Sequence, residues 1–82
     1  METNKVIRKH IMESFLFTDD ESALQDDASL IAQGLIDSIG IMELVEFVEG
    51  SFGIKVDPKE IVPDNLDSVE KMVAFVERKR SM

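Results

Sequence analysis

The apolar residues of this chain recur at helical spacing in three separate stretches. In the first, from Asn4 to Leu16, residues Ile7, Ile11 and Phe15 lie four positions apart and would share one face of an α-helix. His10, the only histidine, falls at the edge of that face, where we expect ordinary helix surface rather than a catalytic group. The pattern therefore predicts an amphipathic first helix whose apolar face enters a core.

A second helix is predicted to begin at Asp37. Aspartate is a favoured N-cap because its carboxylate accepts from the free N–H groups of the first turn. Ile36 and Ile41 have the spacing of a hydrophobic staple, and Gly53 provides a stop signal. Apolar residues at three- and four-residue spacing should face the core: Ile41, Leu44, Val45, Val48 and Phe52.

The C-terminal part of the chain predicts one short helix and one long helix. The two prolines of "IKVDPKEIVPDN" permit only a short helix, over residues 58–62, with Pro58 in its first turn. Asp67 and Glu70 have the spacing of a capping box, so the last long helix should start at Asp67. Its apolar face is predicted to contain Val69, Met72, Val73 and Val76, with Phe75 on the flank. The expected fold is one all-α domain over residues 1–82, a four-helix bundle with three long helices and one short.

The segment between the first two long helices has no clear periodicity. At roughly twenty residues it is long for a connection, so apolar residues must pin it to the core. We expect that role for Leu24, Leu30, Ile31, Leu35 and Ile36. Its acidic run does not fit a calcium-binding loop, because a loop starting at Asp20 would have Leu24 at its fifth position and Gln25 in place of the sixth-position glycine. No metal site is predicted.

The composition limits the partners that the chain can bind. Seventeen acidic against nine basic residues give a net charge of -8, which disfavours nucleic acid and anionic membranes and favours a basic protein surface. No Lys or Arg occurs between His10 and Ile54, whereas ten acids do. The absence of cysteine excludes disulfides and thiolate sites. Because the chain has no signal-peptide pattern and no membrane span, we expect a soluble cytoplasmic protein. We also expect a monomer.

Ser38 is the one residue whose position suggests a reaction. It follows the capping aspartate, so its hydroxyl is not needed to start the helix. No histidine, cysteine or lysine lies close to Ser38, and the single histidine is on another helix, which disfavours a serine enzyme; we predict no catalytic residue. A helix N-terminus does stabilise a phosphate, so a phosphate-linked modification of Ser38 is reasonable. The simpler alternative is that Asp37 and Ser38 only begin a helix.

The second helix also has apolar and acidic residues outside its core face. Ile39 and Met42 lie within a turn of Ser38, and Glu43, Glu46 and Glu49 continue along the same side. We call these five residues the docking strip. An apolar spot extended by carboxylates suits a basic partner surface. The alternative is a solvated helix face with scattered apolar residues.

"GLIDSIGIMELVEFVEGSFGIKV" closely resembles the central segment of acyl carrier proteins, and the attachment motif of that family matches residues 34–39. The resemblance continues through "DPKEIVPDNLDSVEKMVAFVERK" and, with the first helix and long loop, covers nearly the whole chain. It implies a four-helix bundle of acyl-carrier type with a long first loop, in which Ser38 carries a 4'-phosphopantetheine arm. It also implies that a separate transferase transfers the arm from coenzyme A. Asp37 would then be important for that transferase, near its magnesium ion.

The resemblance further implies a non-catalytic carrier that holds acyl or aminoacyl groups as thioesters on the arm. The docking strip would meet the basic surfaces of the transferase, of a loading ligase and of downstream synthase enzymes. Gly40 and Glu46 depart from the pattern of fatty-acid carriers. Three hypotheses therefore stay open: a fatty-acid or polyketide carrier, a stand-alone peptidyl or aminoacyl carrier of a nonribosomal peptide-type pathway, and an unmodified acidic adaptor that binds basic proteins.

Overall fold

The protein is built from α-helices. In the computed structural model, which describes residues 2–81, the helices are α1 (Glu2–Ile11), α2 (Ser38–Phe52), α3 (Pro63–Leu66) and α4 (Val69–Arg80). Within those residues there is no strand. The predicted all-α bundle with three long helices and one short helix is confirmed.

The apolar faces of α1, α2 and α4 meet in one core. The side chains that are almost fully buried there include Ile7, Ile11, Leu44, Val48, Met72 and Phe75. The expectation that Phe75 would flank the core and Val73 would enter it is wrong, since Phe75 is 1% exposed and Val73 is only partly buried. The larger aromatic ring removes more apolar area from water than valine, which favours the helix rotation that buries it.

The first helix has a buried polar contact and a widened end. Thr3 is fully buried, and its hydroxyl donates to Glu77 Oε2 of α4 at 2.8 Å, a contact that apolar spacing did not predict. After Ile11 the chain continues as a π-helical turn, Met12–Leu16. Phe17 ends this turn in the left-handed conformation, with φ 54°. The predicted extent of the helix, to Leu16, therefore holds with a change of helix type.

The predicted start of the last helix is wrong. Ser68, not Asp67, is the N-cap of α4, and its Oγ accepts from the N–H of Lys71 at 3.1 Å. Asp67 closes α3 by donating its N–H to Pro63, so its carboxylate points to the long loop. There Oδ1 accepts from the N–H of Ile31 at 2.8 Å and Oδ2 from the hydroxyl of Ser29 at 2.6 Å.

The predicted short helix over residues 58–62 is also wrong in its extent. A 3₁₀ turn covers Pro58–Glu60 and is closed by a capping box between Asp57 and Glu60. The second proline, Pro63, then starts α3, because proline fits the first position of a helix and interrupts one elsewhere. The two prolines thus give two separate turns.

The long loop between α1 and α2 is held at both sides. Arg8 of α1 pairs with Glu21 and Asp26 and donates to the carbonyl of Leu24 at 2.9 Å. Leu24, Leu30 and Ile36 are buried as predicted, Leu35 packs partly against the core, and Ile31 is 39% exposed, contrary to expectation. The backbone N–H of Ile31 is bound by Asp67 while its side chain turns outward. These contacts hold the loop against α1 and the end of α3, and so position the segment that leads to Asp37.

Candidate functional site

Ser38 is the first residue of α2 and is exposed to solvent. Asp37 is the N-cap, as predicted, and its Oδ1 accepts from the N–H of Gly40 at 2.8 Å. Four residues upstream, Gly34 makes the turn into this segment with φ 75°, a conformation that side chains disfavour. Since Asp37 performs the capping, the Ser38 hydroxyl is left for another use.

The first turn of α2 can hold a phosphate. The Asp37 carboxylate accepts from the N–H of Gly40, and the Asp37 carbonyl accepts from the N–H of Ile41 at 2.9 Å. Among residues 2–81, no protein acceptor takes the N–H of Ser38 or Ile39. Those two donors and the positive end of the helix dipole suit the phosphate of a 4'-phosphopantetheine arm esterified at this hydroxyl. The residues present therefore fit that group.

The first turn of α2 rests directly on the end of the first helix. Gly40 is buried, and a Cβ at this position would lie 3.1 Å from Cε1 of Phe15 and 3.2 Å from Cγ2 of Ile36. Only a residue without a side chain allows this close approach without a shift of its neighbours. This contact packs the first turn of α2, which contains Ser38, against Phe15 and Ile36.

The structure brings most of the docking strip to one open surface. Ile39 is 78% exposed and Met42 49%, and Glu43 and Glu46 are exposed beside them. Glu49 differs, because its Oε2 accepts from the backbone N–H of Val56 at 2.8 Å and the residue is half-buried. This carboxylate thus also holds the segment that follows α2.

The expectation that His10 would be ordinary helix surface is wrong, because this residue of α1 is partly buried against Phe47 of α2. Its ring stacks on Phe47 with centroids 3.8 Å apart, and Phe47 is nine residues beyond Ser38, about 13 Å along the helix axis. Burial lowers the pKa of His10, and the nearby carboxylates of Glu43 and Glu13 partly oppose that shift. His10 is therefore too far along the helix to serve as a base for Ser38.

Phe17 is an exposed aromatic residue that the sequence analysis did not single out. It is 82% exposed and comes directly after the π-helical turn that carries Phe15. The signal in the sequence was an aromatic residue just beyond the last core position of the first helix. Without the fold, that residue could not be distinguished from the apolar residues that pin the loop.

Across residues 3–81, no three His, Asp or Glu side chains are grouped so that they could hold a metal ion. None of the helices in that same range has the length and apolar character needed to cross a bilayer.

An exposed serine at the start of the second helix of an acidic helical bundle is the arrangement of a carrier protein. The phosphopantetheine attachment site family matches residues 9–76 of this chain. D-alanyl carrier proteins of Streptococcus pyogenes, from serotype M5 (strain Manfredo), serotype M49 (strain NZ131) and serotype M1, are each 37% identical over 73 residues. The aligned region covers 87% of this chain and 91% of each relative.

The chain therefore belongs to the phosphopantetheine attachment site family. It is a carrier protein, and its prosthetic group is 4'-phosphopantetheine.

Proposed function

We propose that this protein carries a small amino acid on a 4'-phosphopantetheine arm esterified to Ser38. The observation that supports the attachment point is the exposed Ser38 hydroxyl at the N-terminus of α2, where Asp37 already caps the helix. When bound, the arm supplies the thiol that this cysteine-free chain lacks, and the cargo is held on it as a thioester.

Attachment requires a separate phosphopantetheinyl transferase and coenzyme A. The O–H bond of Ser38 breaks and its Oγ forms a bond to the phosphorus that carries pantetheine in coenzyme A. The bond from that phosphorus to the bridging oxygen of the nucleotide portion breaks, and the nucleotide portion leaves with that oxygen. A base of the transferase accepts the proton, because the carboxylate of the adjacent Asp37 already accepts from the N–H of Gly40. Asp37 has two roles here: it fixes the first turn of α2 through Gly40, and its exposed carboxylate is available for recognition by the transferase.

The partner enzymes are expected to meet the docking strip with basic surfaces. Ile39 and Met42 provide the apolar contact next to Ser38, while Glu43 and Glu46 provide the charge. Glu49 is expected to contribute less to direct contacts, because its carboxylate is bound to Val56. The partners, a loading ligase and the enzymes that use the cargo, carry out the catalysis.

A small amino acid is the cargo that the observations favour, with D-alanine as the first candidate. The relatives at 37% identity are named for a D-alanyl group. Gly40, which departs from the pattern of fatty-acid carriers, lets Phe15 and Ile36 fill the space under the first turn of α2. The same relatives favour the aminoacyl-carrier hypothesis over the fatty-acid and polyketide hypotheses.

Loading of the modified protein tests the proposal. The chain is treated with coenzyme A and a phosphopantetheinyl transferase, then offered D-alanine, L-alanine or a fatty acid with ATP and the adenylating ligases of the same organism. We expect a hydroxylamine-sensitive adduct with D-alanine and none with Ser38→Ala. A fatty acyl adduct with no aminoacyl adduct would contradict the proposed cargo, and a chain that never gains the arm would contradict the proposed function.

A further inference from the structure

Phe17 combines two features that do not help this chain to fold. Its side chain is 82% exposed, so it contributes little to the core. Its backbone has φ 54° and ψ 45°, the left-handed position that ends the π-helical turn and that glycine usually occupies. It is the one residue other than glycine with positive φ in residues 2–81. A bulky aromatic residue in this place suggests a use outside the fold.

The fold places Phe17 at the same end of the bundle as Ser38. The ring of Phe15 lies against Gly40 in the first turn of α2. Phe17 is two residues beyond Phe15, and Ser38 is two residues before Gly40, so each Cα lies within about 8 Å of its neighbour in this contact. Phe17 and Ile39 are thus exposed apolar residues at the end of the bundle where Phe15 meets Gly40.

An enzyme that esterifies Ser38 must cover this end of the bundle. Its reacting phosphorus has to reach the Ser38 oxygen, and a specific interface of about 800 Å² per partner corresponds to a patch with a radius of about 16 Å. Exposed acidic residues lie near both apolar residues in the sequence: Asp19 and Asp20 follow Phe17, and Glu43 lies one turn after Ile39 on α2. The charge favours a partner with an apolar pocket inside a basic rim.

We propose that Phe17 is an anchor residue for the phosphopantetheinyl transferase, inserted into an apolar pocket of that enzyme while Ser38 reacts. This inference rests on the proposed attachment at Ser38 and adds a contact that lies outside the docking strip. Exposed aromatic residues of this kind commonly dominate the free energy of an interface.

Substitution of Phe17 separates docking from folding. Phe17→Gly and Phe17→Asn suit the left-handed backbone, so both variants should melt at or above the temperature of the parent chain. The assay measures KM and kcat for the unmodified chain with the transferase of the same organism and coenzyme A. We expect KM to rise about tenfold with kcat nearly unchanged, and the rise to persist at high salt because the lost contact is apolar. Phe17→Leu should keep most of the apolar contact, so its KM should lie close to that of the parent chain.

One matched control and the behaviour of the parent chain make the result decisive. Thr18→Ala removes the hydroxyl that accepts from the N–H of Asp20 and perturbs the same loop without removing the ring, so it should leave KM unchanged. A KM within twofold of the parent for Phe17→Gly, or a clear loss of its thermal stability, overturns the anchor role while leaving the proposed function intact. If the parent chain gains no arm at all, the proposed function fails and the anchor role fails with it.

Discussion

The imidazole of His10 lies flat on the ring of Phe47, with 3.8 Å between centroids and 9° between ring planes. The ring of Phe15 meets the same imidazole edge-on, with centroids 6.1 Å apart. The Nε2 atom of His10 is buried and has no hydrogen-bond partner in the described part of the chain. A stacked, partly desolvated imidazole is stable as the neutral form, because protonation would place a charge among aromatic rings.

His10 should make the stability of the bundle depend on pH. Burial lowers its pKa in the folded state, whereas the unfolded chain has the ordinary value of about 6.5. The unfolded state then binds more protons, so the stabilisation is complete above pH of about 6.5 and is lost as the pH falls through the folded pKa. Urea unfolding between pH 7.5 and 5 should show this loss in the parent chain and a weaker dependence in His10→Phe. An equal dependence of the free energy of unfolding on pH in both proteins would contradict the role of His10.

Gly40 and Gly50 should respond in opposite ways to alanine. Gly50 is an exposed position of α2 with open space around it, so Gly50→Ala should stabilise by about 0.5–1 kcal/mol through helix propensity. At Gly40 the new Cβ would press on Phe15 and Ile36, so Gly40→Ala should destabilise by about 1 kcal/mol or more. Thermal or urea unfolding measures both. Combining Gly40→Ala with Phe15→Leu should recover part of the loss, and strict additivity would count against the contact.

The capping role of Asp37 and its proposed role in recognition by the transferase can be separated by substitution. Asp37→Ala removes the acceptor of the Gly40 N–H and should cost about 1 kcal/mol, whereas Asp37→Asn keeps a good N-cap and should cost little. If the carboxylate is also recognised by the transferase, Asp37→Asn should react slowly although its stability is close to that of the parent. Unfolding curves and transfer rates are measured on the same samples. A normal rate for Asp37→Asn would leave Asp37 with the capping role alone.

The charges of the docking strip should govern the rate of partner encounter. Glu43→Lys and Glu46→Lys should each slow transfer to Ser38 roughly two- to fivefold at low salt and weaken its salt dependence, since both remove attraction to a basic surface. Glu70→Lys is the matched control, because it makes the same charge change at an exposed position of α4. Equal effects of all three would show that net charge, and not the docking strip, determines the rate.

Local features of the sequence predicted the part of the site that depends on neighbouring residues. The cap at Asp37 and the stop at Gly53 each involve residues within a few positions, and both form as expected. For the same reason the exposure of Ser38, Ile39 and Met42 followed from helical spacing alone. The acyl-carrier resemblance rested on this same segment and led to the correct family.

The features that the sequence did not predict depend on contacts between distant segments. Asp67 and Ser68 are both good N-cap residues. The Asp67 carboxylate accepts from the backbone N–H of Ile31, 36 residues away, so Ser68 caps α4 instead. The rotation that buries Phe75 depends on the faces of the other helices. The exposure of Phe17 likewise depends on where the π-helical turn ends, which hydrophobic periodicity does not indicate.

Intact mass of the chain after reaction with coenzyme A and a phosphopantetheinyl transferase tests the central claim most directly. Ser51 is an exposed serine in the last turn of the same helix, so Ser51→Ala is a matched control for Ser38→Ala. We predict the mass gain of one 4'-phosphopantetheine for the parent and Ser51→Ala, and none for Ser38→Ala, with all three chains folded. A gain that persists in Ser38→Ala, or an unmodified parent, would contradict the account.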